Sequence, residues 1–553
     1  MLARRAVALV VVMMLGAGAW FLTRADEPPP ATRLSTSDRT FASTDPLERA
    51  CALDEEYLVR LWRGHHPVHS EDITTVPQEP NYSGSFGVTS HSGPWDYVQT
   101  IPLVFYGPNH ITQQSAPLKN VTASITDVYA TVGDLVGVDL PARDGEVLDV
   151  SAGPPPPKLI VTVVWDGVGR NVLERHPDAW PNLARMEKEG TSFLDATVGS
   201  SPSITPATHS SLGTGSFPRE HGVTAIEFRT EEGDVRSAFA GKDPSDLELT
   251  TFGDEIDLAL NNEPLVGMLA WKSWHMGMLS HGVLSPGGDA DEMTLIDPHG
   301  GLTGNDALYT TPLHLTRLEP RLAELAAELD QEDGKLDGNS MGHDILEMHD
   351  NPAWVDYQGE LLLQMLESGS YGQDDVPDLF MTNFKVTDIV SHQYSMDSEE
   401  EAIALRAQDR VLGELVDYLD ANVRDYVVIV TADHGNTPPP KRTGAWPILQ
   451  GQLQEDVDAH FEIPDGSSLI EQTTAVGPFV NRSTMKELGV RQAEIAEFLN
   501  GYTIADNWNE EELPAGYENR GEENVFAAAF PSDWMERVNR CAFGQETPIT
   551  EGN

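Results

Sequence analysis

Lysine is scarce in this 553-residue chain, with nine positions against 26 arginines and 88 acidic residues. The net charge is −53. So negative a surface argues against nucleic acid as a partner, because a phosphate backbone needs a basic face. Acidic, lysine-poor surfaces stay soluble in concentrated salt, where screening removes the self-repulsion. The composition therefore points to a halophilic or salt-tolerant source or, more blandly, to an acidic exported protein.

Cysteine is scarcer still, limited to Cys51 and Cys541. Their spacing excludes a CxxC redox or zinc motif. Long apolar runs are missing except at the start, where Arg4 and Arg5 precede an unbroken apolar stretch over 6–22. A basic n-region before a short apolar region spells export, as a cleaved signal or an uncleaved anchor over 1–22. Its 17 residues sit at the low edge for a bilayer span. The only membrane contact expected is this anchor, and either reading places the rest of the chain outside the cytoplasm. In an exported protein two cysteines can pair, so a disulfide joining the ends is expected, with two buried thiols as the alternative.

Apolar residues make up 40%, enough for a large core. Residues 23–45 read as a linker, 46–150 as a leading block, 158–541 as the main body and 542–553 as a tail. Four prolines at 154–157 divide block from body. Apolar runs at 159–165, 265–270, 378–384 and 426–430 read as buried strands. Residues 319–329 and 354–366 read as helices. The alternation predicts an α/β fold with a doubly wound, mostly parallel sheet. The Gly- and Asp-rich stretches 285–305 and 330–345 read as surface loops, and the segments 285–310 and 330–350 are candidates for a lid. His65, His66 and His69 read as surface polar groups.

Chemistry in such sheets sits past the carboxyl ends of the strands. The first strand runs into Asp166-Gly167-Val168-Gly169, although Asp-Gly is commonly just a turn. Next comes Ser203-Ile204-Thr205-Pro206-Ala207-Thr208-His209. A hydroxyl entering a helix there meets free backbone N–H groups, or simply caps the helix. The third strand leads to Asp388 and His392, one helical turn apart. The fourth leads to Asp433-His434-Gly435. Asp oxygen and His nitrogen are zinc-ligand types.

Taken together and in this order, these motifs resemble the alkaline phosphatase superfamily. The likeness is to its nucleotide pyrophosphatase/phosphodiesterase branch and to the single-Thr bacterial alkaline phosphatases near it. The resemblance implies two Zn2+ ions, with Mn2+ or Fe open to the same ligands. It implies Asp166, Thr205, Asp433 and His434 on one ion and Asp388 and His392 on the other. Thr205 is the implied nucleophile, forming a phospho-threonine, with Ser203 and Thr208 as alternatives. The family pattern needs one more His downstream of Asp-His-Gly, where only His460 stands. The matching motif lies upstream instead, at Ser90-His91-Ser92-Gly93 followed by a strand-like 101–106. The chain thus resembles a circularly permuted version of the fold, with His91 favoured over His460. In such a permutation residues 46–60 and 530–545 lie side by side, bringing Cys51 and Cys541 together.

Phosphomonoesterases of this kind hold phosphate oxygens with an Asn after the His-Gly motif and with a Lys-x-Arg pair. Here His221-Gly222 is followed by no Asn, and the pair reads Lys272-Ser273-Trp274. Lys272 is the remaining candidate for the transition-state charge. Two lost contacts favour a diester over a dianionic monoester. The expected function is an exported metal-dependent hydrolase acting on a small phosphate ester. The alternative is a catalytically inactive cell-surface binding module.

Overall fold

The computed structural model describes residues 40–542 apart from Asp333, Met348 and Asp465. The expected export segment at 1–22, most of the linker and the tail beyond 542 lie outside the described residues. Among the described residues no helix is long and apolar enough to cross a membrane.

Ten strands matter here: β1 (Ile73–Pro77), β2 (Leu103–Tyr106), β3 (Leu159–Trp165), β4 (Thr191–Phe193), β5 (Val266–Ala270), β6 (Glu292–Ile296), β7 (Leu302–Thr303), β8 (Asp378–Phe384), β9 (Tyr426–Thr431) and β10 (Phe526–Pro531). Eight of them form the central sheet in the order β7-β6-β5-β8-β3-β9-β2-β4. The middle, β6-β5-β8-β3-β9, is parallel throughout. Strands β2, β4 and β7 pair antiparallel at the two sides.

Strand β3 shows why the sheet is doubly wound. Its seven residues are all buried, and alternate side chains feed different cores. Leu159, Val161, Val163 and Trp165 pack with the helices α7 (Pro352–Gly369) and α9 (Glu399–Asn422). Ile160 and Val164 join the opposite core, built on α3 (Asp127–Val136), α4 (Thr205–Thr214) and α5 (Phe252–Ala259). Each such Val or Leu contributes about 1.5–3 kcal/mol by leaving water. The expected α/β class and doubly wound sheet are therefore present.

One expectation is corrected. Residues 285–305 are not simply a surface loop, because β6 runs through them as a buried strand parallel to β5. Its five residues are flanked by Gly-Gly-Asp and Asp-Pro-His-Gly-Gly, so composition hid a short strand that the edge of the sheet stabilises.

The two ends of the described chain meet. Strand β1 pairs antiparallel with β10. Helices α1 (Pro46–Cys51) and α2 (Glu55–Gly64) pack with α11 (Met535–Ala542) in a small separate core. There Cys51 and Cys541 form the expected disulfide, with Cα atoms 5.3 Å apart.

Candidate functional site

Strands β3, β8 and β9 end side by side, and their last residues turn into one buried cluster. The Asp166 N–H donates to Phe384 O at 3.0 Å, tying the ends of β3 and β8. Gly167 then takes a left-handed φ of +75°. At Gly169 a Cβ would lie 2.4 Å from Gly435 Cα, so only glycines let these two loops approach. Asp433 Oδ1 accepts from the Gly167 N–H at 3.0 Å.

Helix α4 brings in the hydroxyl. Ile204 occupies its N-cap and has no side-chain acceptor, while Pro206 stands in the first turn. Unbonded first-turn N–H groups therefore remain beside Thr205. Thr205 is 3% exposed. The other hydroxyls are committed elsewhere: Ser203 Oγ donates to His91 O and Thr208 Oγ1 to Ile204 O at 3.1 Å.

Asp388 and His392 stand on α8 (Val386–Tyr394), one turn apart as the spacing predicts. His91 arrives from the segment ahead of β2, and its ring stacks on that of His434 with centroids 3.5 Å apart. His460 is elsewhere, packed against Phe461 and Phe498.

The three imidazoles share one arrangement. His91 Nδ1 donates to Ser203 O at 2.7 Å, His392 Nδ1 to Thr89 O at 2.6 Å and His434 Nδ1 to Gly435 O at 3.0 Å. A ring nitrogen facing a carbonyl carries the proton, so each Nε2 presents a lone pair. Those lone pairs face carboxylates. Asp388 Oδ1 lies 3.7 Å from His91 Nε2, 3.4 Å from His392 Nε2 and 3.9 Å from His434 Nε2. His434 Nε2 is 3.3 Å from Asp433 Oδ2 and 3.6 Å from Asp166 Oδ1. Asp388 Oδ1, Asp433 Oδ2 and His434 Nε2 are buried without a hydrogen-bond partner. Lone pair against lone pair in a buried site is repulsive unless a cation lies between, so the donor set fits a metal. His91, Asp388 and His434 form one group able to hold an ion, and Asp166, Asp433 and His434 another.

Behind these residues lies a layer the sequence reading missed. Asn383 Nδ2 donates to Asp166 Oδ2 at 3.1 Å and to His209 Nε2 at 3.0 Å, and His209 Nδ1 donates to Thr205 O at 2.8 Å. His275 Nε2 lies 3.4 Å from Asp166 Oδ2. Lys385, fully enclosed, reaches Asp166 Oδ1 at 2.9 Å, Asp388 Oδ2 at 2.8 Å and Thr205 Oγ1 at 3.2 Å. Burial alone would raise Asp166, but Lys385, His275 and His434 outweigh it and hold the carboxyl well below its ordinary range. Burial and then Asp166 push Asp433 well above its ordinary value. Burial lowers His91 and His434, keeping both neutral.

Lys272 stands farther out, with Nζ over the Trp274 ring at 4.5 Å. Desolvation of its ammonium, then the field of Lys385, lower it to about 8. Trp271 belongs to the core, 5.1 Å from the Trp354 ring. His65, His66 and His69 are buried rather than surface groups. Past the end of α2, His69 Nδ1 donates to Arg229 O and Nε2 meets Glu248 Oε1 at 3.0 Å.

Known proteins resemble this chain. Alkaline phosphatase PafA of Elizabethkingia meningoseptica is 23% identical over 343 residues, covering 51% of this chain and 60% of the relative. Alkaline phosphatase PhoK of Sphingomonas sp is 23% identical over 335 residues, covering 53% and 58%. The chain thus spans about three fifths of the length of both relatives. The crystal structure of wild-type PafA superposes with a TM-score of 0.51 at 18% identity, over 66% of this chain and 78% of that one, which shows a shared fold. Residues 160–493 match the family described as Type I phosphodiesterase / nucleotide pyrophosphatase, more than half of the chain, and the protein belongs to that family.

Proposed function

We propose that this protein is a metal-dependent hydrolase of small phosphate esters that works through Thr205. The observation that carries the reading is the convergence on one buried hydroxyl. Thr205 opens α4, and Lys385 Nζ links its Oγ1 to Asp166 and Asp388, which group with Asp433, His434, His91 and His392. Asp166, Thr205, Asp433 and His434 would hold one Zn2+, and Asp388, His392 and His91 the other. Bound there, the ions would supply positive charge to the attacking and leaving oxygens of an in-line displacement. The chain's own residues do the rest. His209 fixes the first turn of α4 through the Thr205 carbonyl, and Asn383 aligns Asp166 with His209. Burial keeps bulk water from the nucleophile. The Thr205 Oγ1–P bond forms as the bond from phosphorus to the leaving alcohol breaks. The proton given up by the threonine is passed on to the leaving oxygen, so the alcohol departs neutral and opens the site to water. Water then hydrolyses the phospho-threonine.

The same reading takes the chain order as a circular permutation. Residues 88–136, which supply His91, β2 and α3, precede the nucleophile, and β2 sits beside β9. The adjoining ends at Cys51 and Cys541 accord with a closed former junction. Export to the cell envelope or beyond belongs to the proposal as well.

The test is paired hydrolysis of p-nitrophenyl phosphate and bis-p-nitrophenyl phosphate in Zn2+ and high salt. Wild type should turn over at least one ester, and Thr205→Ala should lose ~10³-fold or more. Metal-loaded wild type that cleaves neither ester would instead favour the binding-module reading.

A further inference from the structure

Lys385 is the one lysine of nine placed inside the cluster. Its side chain is 5% exposed. An ammonium has three donors, and here all three are directed: to Asp166 Oδ1, Asp388 Oδ2 and Thr205 Oγ1. Two of those partners are carboxylates that hold it in place. The third is the oxygen on which the phosphoryl group would be built. Burying a lysine costs several kcal/mol unless it is fully paired, so a packing role is better served by an apolar side chain. The pairing makes the charge tolerable and aims it at the reacting atom.

The site also lacks the guanidinium that a Lys-x-Arg pair would supply. At the place of a Lys-x-Arg pair the chain has Lys272 and Trp274, and Trp274 is turned away, donating from Nε1 to Ser237 Oγ at 3.1 Å. Lys385 comes from a different strand end, three residues before Asp388, and brings one positive charge to the same small volume.

We propose that Lys385 is a catalytic cation of this site, binding a non-bridging phosphoryl oxygen next to Thr205 and replacing the positive charge absent at Trp274. The inference rests on the hydrolase reading and extends it to substrate class: two lysine charges suit a dianionic monoester. Lys385 acts as a hydrogen-bond donor and transfers no proton in the step. One N–H moves from Thr205 Oγ1 to the phosphoryl oxygen as the Oγ1–P bond forms, and it returns when water releases phosphate. Its partners stand at the end of β3 and in the first turns of α4 and α8, so the ammonium is pre-aimed rather than recruited.

The experiment compares wild type, Lys385→Met and Lys385→Arg on both p-nitrophenyl esters. Bound Zn2+ per chain and the affinity for inorganic phosphate by titration calorimetry are measured alongside. The expected result is a wild type faster on the monoester. Lys385→Met should lose ~10²-fold or more on the monoester and less than ~10-fold on the diester. Its Zn2+ content should be unchanged and its phosphate binding weaker by ~10-fold, with Lys385→Arg recovering part of each loss. An equal loss on both esters accompanied by lost Zn2+ would overturn the proposal, because Lys385 would then only position Asp166 and Asp388. An unchanged ester ratio would overturn it too. A wild type that cleaves neither ester defeats the hydrolase reading, and the phosphate titration then judges Lys385 alone: equal affinity in wild type and Lys385→Met overturns it.

Discussion

Asp257 is a carboxylate whose Oδ1 is buried without a hydrogen-bond partner; the residue is 4% exposed and faces Asp289 and Asp291. Burial, then Asp289 and Asp254, raise it to about 7. The folded state therefore holds a proton that the unfolded chain releases near the ordinary carboxylate value of ~4. Between those two pH values the folded state binds more protons, so its stability falls as pH rises, and the penalty is complete above about 7. Asp257→Asn should match wild type near pH 4 and exceed it by ~1–2 kcal/mol at pH 8, after allowance for screening. Urea unfolding at the two pH values checks this, and a variant no better at pH 8 would contradict it. The same contrast explains which site residues were legible. Asp166, Asp388, His392, Asp433 and His434 each follow an apolar run within their own motif. Lys385, Asn383 and His209 act across 174–219 positions of sequence, and local pattern carries no record of such contacts. Lys385 lies between two recognised motifs and reads as an ordinary strand end.

At the scale of elements, β3, β8 and β9 fall within a residue of the expected runs, because a strand buried on both faces is apolar at most positions. Strand β6 escaped because its five residues are stabilised by β5 rather than by their own pattern. The end-to-end clasp of β1 with β10 and of α1 with α11 was legible only through two cysteines and a displaced motif. The clasp closes a loop 490 residues long. In the chain-entropy model such a closure restricts the unfolded state by ~6 kcal/mol. Cys541→Ser should lower the unfolding free energy by that order and leave the ester ratio and Zn2+ content intact, since the cysteines belong to a separate small core. Calorimetric unfolding under non-reducing conditions checks it. An equal Tm in wild type and variant would show that β1–β10 pairing holds the ends by itself.

For the whole molecule the governing quantity is the net charge of −53, spread over a surface with few lysines to offset it. At ~0.1 M salt the Debye length is ~10 Å, so acidic groups repel one another and repel an approaching anion. At ~1 M it shrinks to ~3 Å and both effects fade. The site itself is buried, and its pairs of Lys385 with Asp166 and Asp388 are shielded from added ions. Salt should therefore act on the approach to the site more than on the chemistry within it. A dianionic monoester feels about twice the repulsion of a monoanionic diester, since Coulomb energy scales with charge. Raising NaCl from ~0.1 to ~2 M should lower the monoester KM several-fold, lower the diester KM less, and leave kcat nearly constant while raising Tm. Equal KM changes for the two esters would place the salt effect in folding rather than in approach. A fall in kcat with salt would mean that the buried ion pairs exchange with solvent ions.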